Sequence, residues 1–304
     1  MSGLLVSLQD AVVQGVLWGI MVLGVYITYK LLDIADLTVD GSFAMGGCVC
    51  AVMILNFNVD PWIALGIAAV AGMAAGAVTG LLHTVFEIPA ILAGILTQIG
   101  LWSINLRIMG GKSNVPLLKT DTIMSKFIAV TGVSKQAAAM IIGIGLAIIM
   151  IFFLYWFFGT EIGSAMRATG NNQAMIRAQG VNTNWTKLLA LTISNGLVGL
   201  SGGLVCQSQK YADIGMGTGA IVIGLAAIVI GDVLMGKLRS FASKLISAVV
   251  GSVIYFVIRA MVLRMGMDAN DMKLLSAAIV AVALCVPVMV NKWRIRKSYT
   301  EGGE

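Results

Sequence analysis

The chain has 304 residues, of which 59% are hydrophobic and only 11% charged, with a mean hydropathy of +0.95. A soluble domain carries roughly 25% charged residues to keep its surface wet, so this composition excludes a soluble globular protein and describes an integral membrane protein. The net charge of +6 gathers beside the apolar runs, as at a membrane interface, and no nucleic-acid partner is expected.

A helix needs about 20 residues to cross a hydrocarbon core of about 30 Å. Largely apolar runs of that order recur at 11–30, 43–57, 61–82, 88–108, 137–158, 187–206, 217–236, 244–263 and 273–291. They predict an all-α polytopic membrane protein with about nine transmembrane helices, eight to ten if some are interrupted, in a single domain over residues 1–304. The first run has no basic leader and no small-residue cleavage motif, so it reads as a retained helix between Asp10 and Lys30. Basic residues collect at Arg167, Arg177 and Lys187, at Lys237, Arg239 and Lys244, and at Lys292, Arg294, Arg296 and Lys297. Even numbers of crossings separate these clusters, so the positive-inside rule puts all three in the cytoplasm, with the C-terminus inside and the N-terminus outside. Arg259, Arg264, Lys112 and Lys119 then fall near the outer surface, where Arg259 can snorkel.

Catalytic chemistry finds little support. Cys48, Cys50, Cys206 and Cys285 lie in apolar runs without metal-ligand spacing and read as small buried side chains; no metal or other cofactor is expected in this chain. The one histidine, His83, stands four residues before Glu87, a spacing at which the two can pair, though one imidazole at a membrane boundary is more often a solvated or capping residue. No GxxxxGK[ST] phosphate loop occurs, so if transport is driven by ATP, the nucleotide and its Mg belong to another polypeptide. Gly72, Gly76 and Gly80 recur at intervals of four in GIAAVAGMAAGAVTG, the spacing of a close helix-pair or dimer seam in lipid.

Two segments match one another. DIADLTVDGSFAMGGCVCAVMI at 33–54 and YADIGMGTGAIVIGLAAIVIG at 211–231 each carry an acid (Asp40; Asp213), then small or polar residues (Gly41 and Ser42; Gly217 and Thr218), then an apolar helix. Such breaks point free N–H groups and the positive end of a helix dipole into the protein, which suits a polar solute path. The same residue types also cap ordinary helices at an interface, and both readings stand at this point. The repetition favours broken helices in two pseudo-repeated halves.

These stretches carry a resemblance. GVLWGIMVLGVYITYKLLDIADLTVDGSFAMGG at 15–47, RATGNNQAMIRAQGVNTNWTK at 167–187 and DIGMGTGAIVIGLAAIVIGDVLMG at 213–236 resemble, in that order, three motifs of the branched-chain amino acid permeases of ATP-binding cassette (ABC) importers. Arg167, Ala168, Ala174, Gly180 and Val181 stand at the family's places in its cytoplasmic loop. Asp40, Gly41 and Ser42 replace an asparagine and a histidine of the first motif, which points away from a branched-chain substrate and toward the subgroup assigned to tryptophan and tyrosine import.

The resemblance implies a permease subunit of the inner (plasma) membrane that is not itself an enzyme. It would work as a homodimer or beside a similar subunit, with two cytoplasmic ABC ATPases and an extracytoplasmic binding lipoprotein, and import an amino acid, aromatic in this subgroup. It makes the polar stretch 159–187 a cytoplasmic coupling loop, with a short helix over 171–179 lying parallel to the membrane. Ala174, Met175 and Ala178 would pack into the ATPase, Arg177 and Asn172 would meet its rim, and Gly170 and Gly180 would turn the chain at either end. The path itself is expected to be lined by apolar and small groups with few charges, which suits a zwitterion or a neutral solute; nucleosides, sugars and vitamins would fit it too, and the amino acid comes from the resemblance alone. The alternative is an ion-coupled secondary transporter or a channel, which needs polar groups at mid-membrane. Asp232 is the acid that comes nearest to this, and its neighbours Lys237 and Arg239 suggest a flanking ion pair.

Overall fold

The computed structural model describes residues 2–118, 120–236, 240–266, 271, 274–282, 285 and 289. Helix α1 (Ser2–Tyr26) runs into a π-helical turn, Ile27–Leu31, and is followed by α2 (Thr38–Phe57), α3 (Pro61–Thr84) and α4 (Ala90–Ile108). Strand β1 (Asn114–Pro116), α5 (Ile123–Thr131) and α6 (Lys135–Phe157) come next, then α7 (Glu161–Asn171) and α8 (Gln173–Ala178). The chain continues through α9 (Thr183–Gln209), β2 (Tyr211–Asp213), α10 (Ala220–Met235) and α11 (Phe241–Arg264). Among the described residues the protein is all-α apart from one antiparallel pair of three-residue strands, in which Val115 faces Ala212.

Among the described residues, seven helices are long and apolar enough to cross a membrane, fewer than the eight to ten expected. The span expected at 217–236 is only the 16 residues of α10, because the chain before it stays in turns until Gly219, at φ +82°, starts the helix. The ninth expected span, 273–291, is helical at 274–282 and otherwise lies largely outside the described residues. Lys119, Lys237, Arg239, Lys292, Arg294, Arg296 and Lys297, which carried part of the orientation argument, also lie outside them.

Helices α1, α2 and α9 form the centre, and α3, α4, α6 and α11 surround them with more exposed apolar faces. In lipid no hydrophobic drive separates helix from helix, so close backbone packing has to supply the cohesion. Glycines make that packing here. A Cβ on Gly72 would stand 2.2 Å from the carbonyl oxygen of Asn195, and one on Gly76 2.3 Å from that of Leu191. The repeat at 72, 76 and 80 is therefore a seam between α3 and α9 of the same chain. Gly46 and Gly202 bring α2 against α9 in the same way, each with a virtual Cβ 2.0 Å from a facing carbonyl. Side chains fix the helix ends: Asp60 caps α3 ahead of Pro61, Thr122 and Ser125 form a capping box on α5, and Ser134 and Thr160 cap α6 and α7.

Candidate translocation site and coupling element

The two matched segments meet. Helix α2 starts earlier than expected, at Thr38, so Asp40, Gly41 and Ser42 sit within its opening turns rather than ahead of it. The Asp40 carboxylate does not cap its own helix. It accepts the backbone N–H of Gly219 at 2.8 Å and of Ile221 at 3.0 Å, and so caps α10. Gly217 lies on the α2 backbone, where a Cβ would come 2.0 Å from the carbonyl of Asp40. Two helix N-termini thus face one carboxylate, whose charge offsets both dipoles. From this junction α2 runs toward the end of the bundle where Gln207 donates to Cys50, and α10 toward the opposite end, where Asp232 meets Lys30.

A buried polar chain lies beside the junction. Ser42 donates to the Asn195 side-chain oxygen at 2.6 Å, and the Asn195 amide donates to Asp36 at 2.7 Å and to the Leu191 carbonyl at 3.0 Å. The backbone N–H of Thr38 completes the Asp36 carboxylate at 3.0 Å, while its hydroxyl joins Thr79 and, through it, Thr97. These bonds fix the non-helical segment 32–37 between the π-turn and α2. Gly41 serves packing, with Leu101 against it and its carbonyl accepting from Asn105. Asp213, in β2, accepts from Asn114 and from the N–H of Gly215.

Thr218 is the one residue of the expected pathway set that lines the large cavity, of about 1210 Å³, between α1, α9, α10 and α11. Phe43, Met216 and Ile223 bring its wall to the junction, and Trp18 and Phe256 make an aromatic side. Polar groups line it as well: Asp10, Gln14, Gln209, Arg259 and Arg264. The wall is more charged than expected. Arg259 lies 5.6 Å over the Phe256 ring, a cation–π placement that holds its stem in the wall.

At the other end of the bundle the polar stretch forms two helices, of which only the second was expected. Helix α7 buries Gly163, Met166 and Thr169 on one face, with Thr169 at 3.1 Å from Thr186 of α9. Gly170 is not a turn residue. It lies inside α7, pressed on the π-turn, where any Cβ would fall 1.7 Å from the carbonyl oxygen of Leu31. Arg167 stands 5.4 Å over Phe241, the first residue of α11. In α8, Asn172 caps the helix at Met175, Ile176 is buried, and Arg177 donates to Thr183 at 2.6 Å and to Asn184 at 3.4 Å. Gly180, at φ +84°, turns the chain into α9. Ala174, Met175 and Ala178 are exposed. The polar members of the expected coupling set thus bind the knob to its own chain, and the small apolar members form its outer face.

Other expectations are revised. Asp232 pairs with Lys30 at 2.8 Å, from the far end of the sequence, because α10 descends beside the end of α1. His83 meets the Ile88 carbonyl at 2.9 Å rather than Glu87, since the helix has ended and residue 87 has φ +56°. Cys48, Cys50 and Cys206 are buried together in one apolar cluster, while Cys285 is exposed. Asp36, Asn195 and Trp18 carry site geometry that sequence reasoning passed over. The ISNG stretch at 193–196, polar in mid-span, was the available signal for Asn195.

An all-α bundle with seven apolar helices long enough to cross a membrane among the described residues, together with the family match, defines a multi-pass inner-membrane transport permease, not a catalytic subunit. The chain belongs to the family of the branched-chain amino acid transport system, permease component, whose profile matches residues 7–284; this is a family of ABC-type permeases. It is 37% identical over 284 residues to the tyrosine transport system permease protein of Clostridioides difficile, covering 93% of this chain and 91% of that one. It is 30% identical over 267 residues to an uncharacterized protein of Rickettsia prowazekii, covering 87% and 91%. The ribose import permease protein of Escherichia coli K12 is 23% identical over 254 residues, covering 83% and 76%.

Proposed function

We propose that this permease imports an aromatic amino acid as the membrane half of an ATP-driven assembly, with two copies of the chain, two cytoplasmic ATPases and an extracytoplasmic binding protein. The observation that carries the coupling is the build of α7 and α8: every polar side chain of the expected set is spent on holding the knob rigid, and Ala174, Met175 and Ala178 are left outward. Such a surface suits a cleft in a soluble partner. ATP binding that moved the knob would push Gly170 against Leu31, and so act on segment 32–37, Asp36 and the Asp40 junction. The path would open alternately as the half-helices that meet at Asp40 and Gly217 shift against each other, in keeping with two pseudo-repeated halves. The aromatic substrate rests on the likeness to a tyrosine transport permease. Reconstitution with the ATPase and binding protein in liposomes tests the reading through ATP-dependent uptake of tyrosine, phenylalanine and tryptophan. Uptake of ribose without any amino acid, or uptake driven by an ion gradient without ATP, would overturn it.

A further inference from the structure

We infer that the cavity beside the junction is itself a binding site for a zwitterionic aromatic amino acid, so that the permease selects its substrate rather than passing on whatever the binding protein delivers. This rests on the amino-acid reading above and adds a site to it.

Four features of the cavity meet the chemistry of that ligand. First, its volume of about 1210 Å³ exceeds the roughly 300–1,000 Å³ of ordinary small-molecule sites, so a whole amino acid fits with water around it. Second, Trp18 stands against Phe43 at 4.5 Å and Phe256 at 5.5 Å between ring centroids; the three rings back one side of the wall, and the narrow edges of Trp18 and Phe256 that stay open to it, 8% and 6% of each residue, are what a planar ring would meet. Third, the charges are two cations, Arg259 and Arg264, and one anion, Asp10. That set answers a carboxylate with guanidinium forks and leaves one acid for the ammonium group. Fourth, the Trp18 indole N–H is buried and has no acceptor among the described residues. An unpaired buried donor costs free energy, and a small turn of the indole into the cavity would bring it to a ligand acceptor. A sugar would match the donors but not the charge pair, and a branched-chain amino acid would match the charges but not the ring surface.

The test uses full-length permease in phosphatidylcholine nanodiscs, without ATPase or binding protein, and L-[3H]tyrosine as the probe. Saturable binding is expected, displaced by phenylalanine and tryptophan, and displaced at least about tenfold less well by tyramine, which lacks the carboxylate, by leucine and by ribose. Arg259→Gln with Arg264→Gln should weaken binding by about tenfold or more, and Arg259→Lys, which keeps the charge and loses the fork, should fall between that variant and the wild type. Trp18→Phe should weaken tyrosine binding while preserving the ring surface. A thermal melt of each variant separates lost binding from lost fold. Absence of saturable binding, equal displacement by tyramine or leucine, or wild-type affinity in a folded double-glutamine variant would each overturn the site. The two readings fail separately: ATP-dependent tyrosine uptake with the binding protein, and no binding to the permease alone, removes only this inference. Loss of amino-acid uptake altogether removes the function proposed above.

Discussion

Gly170 is the residue through which α7 presses on the π-turn. Its virtual Cβ lies 1.7 Å from a backbone carbonyl oxygen and 2.7 Å from the carbonyl carbon, neither of which can rotate away. Gly170→Val should destabilise the α7 contact by about 1–3 kcal/mol, as overpacking does, and reduce transport and stimulated ATP hydrolysis together. Gly180 sits in open space, so Gly180→Ala meets only the left-handed backbone cost of about 1–2 kcal/mol and should leave coupling largely intact. Equal loss of coupled activity in both variants would place the sensitivity in the loop generally rather than at the Leu31 contact. A second residue-scale prediction concerns Asp60. Hydrogen bonding from Lys126 first, and then from the Trp62 backbone, holds its carboxyl below the usual carboxylate range. The tie between α5 and the start of α3 is therefore intact above the ordinary aspartate value of about 4 and is lost as pH falls through the lowered one. Hydrogen exchange in α5 should rise modestly across that acid window, and in Lys126→Gln it should be raised already at neutral pH.

Single side chains matter here mainly through the elements they join. Asp40 belongs to α2 by sequence and to α10 by function, since its two hydrogen bonds satisfy N–H groups that α10 cannot satisfy internally. Asp40→Ala should cost about 0.5–2 kcal/mol, the range of a lost N-cap, and lower the melting temperature by about 2–4 °C per kcal/mol. An unchanged melt would mean that water or another group caps α10. Helix α8 permits a similar experiment from its outer face. Ala174→Glu with Ala178→Glu adds two carboxylates at exposed positions, so folding should be preserved. Burying those charges against an ATPase should cost several kcal/mol and abolish stimulated hydrolysis. Full coupled transport by that double variant would show that α8 is not the contact. The first helix of the segment, α7, escaped sequence reading because its residues are mostly polar; its face of Gly163, Met166 and Thr169 is buried only in relation to the π-turn and α9 beneath it.

At the scale of the molecule, the described residues of one chain form one α7–α8 projection. An assembly with two ATPases therefore needs a second permease chain, and two copies meet that need with closed symmetry. Light scattering of the purified complex should give a permease component of two chains of 31.9 kDa; a complex with one permease chain and no similar partner would contradict this. The glycine repeat of α3 cannot supply that interface, because α9 of the same chain already occupies it. The exposed apolar faces of α4 and α6 are where lipid or a second copy meets the bundle.

The sequence alone determined the membrane class, the helical architecture, the order of most spans, the family and the position of α8. Those properties follow from hydropathy and local turn chemistry, which act over a few residues and leave a periodic signal. It also marked Asp40 and Gly217 as matched features, without telling whether they line a path or cap a helix. Only the tertiary structure decided that they face each other 177 positions apart, that Lys30 is the partner of Asp232, and that Arg259 stands in a cavity wall with Trp18 and Phe256. The helix expected over 217–236 starts late for the same reason. Whether 214–219 continues a helix depends on the carboxylate waiting for the first free N–H groups of α10, and that carboxylate comes from a distant helix whose approach no local pattern encodes.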